Sequence, residues 1–223
     1  ARRGEPLTYY HRLGPAGDVF AALPDGPRRV GLVGLGAGAL AAYARRGDAF
    51  EFYELDPDVV GMAAARFTYL SDAERRGAAV RVVPGDGRLS LARERGDAYD
   101  LLVLDAFSSD SIPVHLVTRE ALALYLARTG PEGLLAFHVT NRHLRLERVL
   151  AREAADAGLA AALREDPVVD EEGGRFPSEW VVVAKDRRTL APLARTGRWV
   201  GLRGLARDPE WTDAYSSLLP ILK

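Results

Sequence analysis

Short apolar runs recur along the chain, each followed by a glycine- or acid-bearing turn and then a stretch of helical character. Val30-Gly31-Leu32-Val33 reads as a buried strand, Gly34 to Gly38 as a turn and Ala39 to Arg46 as a helix. The alternation continues with a strand at Glu51–Glu54 and a helix at Pro57–Leu70, with proline in its first turn. Strands at Ala79–Val83, Leu101–Asp105 and Gly133–Val139 are followed by helices at Arg88–Arg95, His115–Arg128 and Leu144–Ala157. Leu159–Arg164 and Trp180–Ala184 complete the strands. Ahead of all these, Leu7–His11 and Asp18–Leu23 flank Gly14-Pro15-Ala16-Gly17, which predicts a β-hairpin.

Strands alternating with helices predict an α/β fold with a mainly parallel, Rossmann-like sheet covered on both faces. The expected organisation is a hairpin element over residues 1–28 and a ligand-binding domain over 29–223. Ligands of such sheets lie outside the carboxyl ends of the strands. That places Asp105, the last residue of a central strand, at a ligand crevice.

Composition narrows the chemistry. The 223 residues include no Cys, which excludes disulfides, thiolate nucleophiles and Cys-ligated zinc. The four His show no metal-site spacing, so no metal is expected. A net charge of −1 argues against nucleic acid as a partner. The apolar run Val30–Ala44 is too short and too glycine-rich to span a bilayer, so no membrane contact is expected from this chain itself.

Three strand ends carry candidate ligand groups. Gly34, Gly36 and Gly38 form a loop through which backbone N–H groups can approach a ligand. Read from Gly36, Ala41 takes the third glycine position of the dinucleotide fingerprint, which favours an S-adenosyl ligand over a nicotinamide dinucleotide. Glu54, at the end of the second strand, can accept both hydroxyls of a ribose. Asp86, with Gly87, ends the third strand and can accept from an adenine amine or cap the following helix. Asp56 reads as a helix cap.

The ordered segments VGLVGLGAGAL, YELDPDVV, PGDGRLSL, YDLLVLDAFSSDSIP and PEGLLAFHVTN resemble the spermidine synthase family of aminopropyltransferases. They look closer still to the spermidine-synthase-like domains fused behind membrane-spanning segments in bacterial proteins. The resemblance implies an S-adenosylmethionine-dependent methyltransferase-type sheet. It implies transfer of an aminopropyl group from decarboxylated S-adenosylmethionine to a diamine such as putrescine, with release of methylthioadenosine. By motif, Glu54 matches the ribose carboxylate, Asp86 and Gly87 the adenine contact, Asp105 the acceptor of the amine proton, and Asp110 the second acid. A cytoplasmic location follows, as a free protein or as the cytoplasmic part of a membrane protein, and a homodimer is compatible with the sequence.

The chain departs from the family in two places. Ala37 stands where the loop usually carries an Asp, and two additional residues precede Asp110. Tyr9, Tyr10 and Trp211 are candidates to line the methylene chain, and Asp18 and Asp213 to hold an ammonium. For Trp211 core packing competes with that role, and for Asp213 a helix cap. His138 and Asn141 are expected to order a loop. Two other functions fit the same residues: an S-adenosylmethionine-dependent methyltransferase, and a non-catalytic adenosyl-ligand sensor.

Overall fold

The computed structural model of the chain describes residues 4–106 and 113–223. Eight strands form one sheet: β1 Arg29–Val33, β2 Ala49–Glu54, β3 Ala79–Pro84, β4 Tyr99–Leu104, β5 Thr129–His138, β6 Ala160–Asp166, β7 Ser178–Ala184 and β8 Val200–Leu202. Their order is β3-β2-β1-β4-β5-β7-β6-β8. The first five neighbours are parallel, β7 runs antiparallel to both β5 and β6, and β8 is antiparallel to β6.

The continuous apolar runs are explained by burial on both faces, as parallel central strands require. Val30, Leu32, Leu101 and Val103 pack on one side of the sheet, and Val33, Leu102 and Leu104 on the other. Chain order reverses between β1 and β4, so the loops leaving these two strands diverge and open a crevice between them. Asp105, at the end of β4, sits at that reversal.

The expected hairpin is not formed. Asp18–Leu23, expected as its second strand, belongs largely to helix α1, Pro15–Ala22. Proline at the first turn starts the helix. Ala16, Val19, Phe20 and Leu23 then recur at helical spacing and are all buried in the first core, so residues 4–28 share the core of the sheet. Thr8 makes an isolated bridge to Arg175 and no strand.

Other helices differ in extent. Ala39–Tyr43 is a 3-10 helix rather than an α-helix reaching Arg46. The stretch expected as one helix from Pro57 divides into α2 Pro57–Arg66 and α3 Tyr69–Arg75, broken where Phe67 turns extended. Asp56 caps α2 through the Asp58 N–H, as its position suggested. Then follow α4 Gly87–Arg93, α5 Arg119–Arg128 capped by Thr118, α6 Leu146–Asp156 and α7 Ala191–Arg195. Strand β8, only three residues long, lies beyond the last strand that the apolar pattern predicts. Among the described residues, no helix is long and apolar enough to cross a membrane.

Candidate active site

A cavity of about 390 Å³ opens at the carboxyl ends of β1, β2 and β4. Gly34, Leu35 and Gly36 form one wall, Glu54 and Asp56 a second, Asp86 and Gly87 a third, and Asp105, Ala106, Pro113 and His115 the last. Four of these residues are carboxylates, and its described lining contains no Lys or Arg. A larger cavity, about 970 Å³, lies at the start of β6 and contains none of the expected site residues.

Glu54 holds the glycine loop in shape. One carboxylate oxygen accepts the Leu35 N–H at 2.9 Å and the other the Asp56 N–H at 2.9 Å. Each oxygen keeps a second acceptor position. Asp86 caps α4 through the Leu89 N–H at 2.8 Å. Its other oxygen meets His115 Nε2 at 3.1 Å, a partner that sequence reasoning missed. Gly87 allows the close approach of α4 to β1, since a Cβ there would come within 2.6 Å of Val33 Cγ1.

Asp105 is mostly buried, with 12% of its side chain exposed. Its backbone N–H donates to the Val33 carbonyl at 2.9 Å, extending the β1–β4 ladder. Tyr10 Oη donates to Asp105 Oδ2 at 2.7 Å, and His138 Nδ1 lies 2.7 Å from Asp105 Oδ1. Burial first, then the Asp105 charge, pushes the Tyr10 hydroxyl well above its ordinary range, so it stays a neutral donor. The His138 ring stacks on Trp180 with centroids 5.0 Å apart, and the Tyr9 ring lies 5.4 Å away.

The remaining expected contacts fall elsewhere. Asp18 is buried beside Arg164, Arg198 and Trp199, whose indole N–H it accepts at 2.9 Å, so it neutralises structural arginines instead of holding a substrate cation. Trp211 is fully buried in the second core, with its indole N–H on the Ser217 carbonyl. Packing is its role. Asp213 accepts two hydrogen bonds from Arg88, at 2.7 and 2.6 Å, and one from Thr118 at 2.8 Å. It therefore ties its segment to α4 and α5 and does not line the cavity. Gly38, with φ 76°, closes the loop ahead of the 3-10 helix. Asp110 lies outside the described residues. Among the described residues there is no cluster of three or more His, Asp or Glu suited to a metal ion.

No protein-family model matches the chain. A polyamine aminopropyltransferase of Vibrio vulnificus (strain CMCP6) is 34% identical over 118 residues, which is 51% of this chain and 37% of that relative. The aligned part thus spans little more than a third of the relative's length. A probable spermidine synthase from Corynebacterium glutamicum ATCC 13032 superposes with a TM-score of 0.63 at 16% identity, over 91% of this chain and 78% of the other. An O-methyltransferase from Bacillus cereus, solved in complex with SAH, gives a TM-score of 0.52 at 14% identity, over 78% and 82% of the two chains. Over about half its length the chain is thus similar in sequence to a polyamine aminopropyltransferase, and over most of its length it shares the fold of a probable spermidine synthase and of an O-methyltransferase.

Proposed function

We propose that the chain transfers an aminopropyl group from decarboxylated S-adenosylmethionine to a diamine such as putrescine, releasing methylthioadenosine. The observation that carries this reading is the charge of the cavity: Glu54, Asp56, Asp86 and Asp105 line it, unopposed by Lys or Arg among its described lining residues. A donor with a sulfonium and an ammonium, together with a diammonium acceptor, is complementary to such a wall. A donor carrying a carboxylate is less so.

Each residue then has a chemical task. The glycine loop and the free acceptor positions of Glu54 bind the ribose side of the donor, and Asp86 with Gly87 borders the adenine. Alkyl ammonium groups titrate near ~10.4, so the attacking nitrogen arrives protonated. Asp105 takes that proton and orients the freed lone pair towards the carbon next to sulfur. The C–N bond forms as the C–S bond breaks, and the bonding pair returns to sulfur as neutral methylthioadenosine leaves. Tyr10 keeps the Asp105 carboxylate oriented, and Asp110 is assigned to the far ammonium.

A methyltransferase is the second reading. Ala37 favours it, because the loop lacks a side-chain charge that would prefer an amine to a carboxylate on the donor. The test is incubation with either donor and a panel of diamines, followed by mass analysis. Methylthioadenosine together with an aminopropylated amine is the expected result. S-adenosylhomocysteine and a methylated product would install the second reading. Tight methylthioadenosine binding with no product from any amine would leave only a sensor.

A further inference from the structure

The surroundings of Asp105 extend one shell beyond Tyr10, into residues the proposed reaction does not otherwise use. His138 Nδ1 sits 2.7 Å from Asp105 Oδ1, and His138 Nε2 sits 2.7 Å from Thr140 Oγ1. Thr140 Oγ1 also accepts the backbone N–H of Glu179 at 2.8 Å. The ring is held flat against Trp180 at an interplanar angle of 18°.

Asp105 sets the direction of the first bond: an ionised carboxylate can only accept, so His138 Nδ1 carries the ring proton that faces it. Thr140 Oγ1 has one proton to give and two acceptor positions, one of which takes the Glu179 N–H. In the neutral ring Nε2 is then the acceptor, and the Thr140 hydroxyl supplies its donor at 2.7 Å.

We infer that His138, an Nδ1–H donor to Asp105 anchored at Nε2 by Thr140, is a positioning residue for Asp105. This rests on the transferase reading above. Asp105 Oδ1 receives His138 and Oδ2 receives Tyr10, so the carboxylate plane is pinned at two points. One acceptor position per oxygen is left for the incoming ammonium. His138 carries no vacant nitrogen towards Asp105, so it does not relay the proton onward. That proton leaves Asp105 by way of the cavity, after the product. The device acts on the alignment of base and nucleophile rather than on affinity.

Isosteric variants separate this role from plain packing. The amide nitrogen of Asn reproduces the position of Nδ1, whereas that of Gln reproduces Nε2. His138→Gln removes the donor to Asp105 and should lower kcat at least about tenfold, with diamine KM and methylthioadenosine affinity nearly unchanged. His138→Asn restores the donor and should recover most of that loss. Thr140→Val, which frees Nε2, should lower kcat several-fold and leave KM alone. Long-range proton–nitrogen NMR of the unaltered protein should show His138 as the Nδ1–H tautomer. Full turnover in His138→Gln, an Asn variant no better than Gln, or an Nε2–H tautomer would each overturn the positioning role. If His138→Gln does not fold, Thr140→Val and the tautomer decide. A chain that turns over no amine at all overturns the transferase reading, and the positioning role of His138 falls with it.

Discussion

Gly34 and Asp105 are in backbone contact: a Cβ on Gly34 would lie 2.3 Å from the Asp105 carbonyl oxygen. Gly34 also sits at φ 98°, a region that side-chain-bearing residues avoid. The glycine loop and the strand end that carries Asp105 are therefore one unit at the point where strand order reverses. Gly34→Ala must displace Asp105, strain the loop, or both. The expected loss is about 1–3 kcal/mol of stability from the backbone alone, with methylthioadenosine affinity and turnover falling together. Denaturant unfolding and calorimetry read the two effects. Unimpaired binding in a stably folded Gly34→Ala protein would show that the loop does not grip the ligand.

Asp105→Asn tests the base. Asn keeps the size of the side chain and retains an oxygen acceptor, but loses charge and basicity. Turnover should fall by about a hundredfold or more, while methylthioadenosine affinity holds. Equal losses in binding and rate would instead make Asp105 a structural tie between Tyr10 and His138.

Ala37→Asp tests donor choice. The substitution adds an anion to the glycine loop, close to where the donor's amine would lie. The ratio of kcat/KM for the decarboxylated over the carboxylated donor should rise. If the unaltered protein already separates the two donors by orders of magnitude, the cavity carboxylates make the choice and Ala37 has no part in it.

Much of this was legible in the sequence, and the gaps have physical causes. The ends of β1 and β4 at Val33 and Leu104 could be read because their apolar runs, Val30–Val33 and Leu101–Leu104, stop abruptly at a glycine and at an acid. Asp86 had two readings, and the cap on α4 exists beside its place in the cavity wall. Residues Pro15–Ala22 misled because a Gly/Pro turn outweighed the three-and-four spacing of Ala16, Val19 and Phe20. Asp18 and Asp213 looked available because a sequence does not display their arginine partners, which lie 146 and 125 residues away along the chain. His138 meets Asp105 only because β4 and β5 are neighbours in the sheet.

Asp213→Asn distinguishes the observed tie from a substrate role. Arg88 holds this carboxyl down to about 2, so it is fully charged under ordinary assay conditions. The pair is partly exposed, and breaking it should cost about 1 kcal/mol or less. Diamine KM should stay within a few-fold of the unaltered protein. A large rise in KM would return Asp213 to the acceptor site.

Glu153 gives the fold a dependence on pH. It is almost fully buried on α6, and burial raises its carboxyl from the ordinary 4.5 to about 9. Neither carboxyl oxygen has a hydrogen-bond partner among the described residues, the Glu120 and Glu210 charges add to the rise, and the Arg119 charge opposes it without offsetting burial. Between these two values the folded chain keeps a proton that the unfolded chain has already released. Unfolding then sheds a proton, so stability falls as pH climbs from 4.5 towards 9. At about 1.4 kcal/mol per pH unit, the penalty at pH 7 is on the order of 3 kcal/mol. Glu153→Gln carries no ionisable proton and escapes it. Glu179, raised to about 7 mainly by burial, adds a slope of the same sign to both proteins and cancels in their difference. The Tm of Glu153→Gln should thus exceed that of the unaltered chain by a margin that is small near pH 5 and grows towards pH 8.5. A margin that does not change with pH would mean that Glu153 is ionised in the folded state.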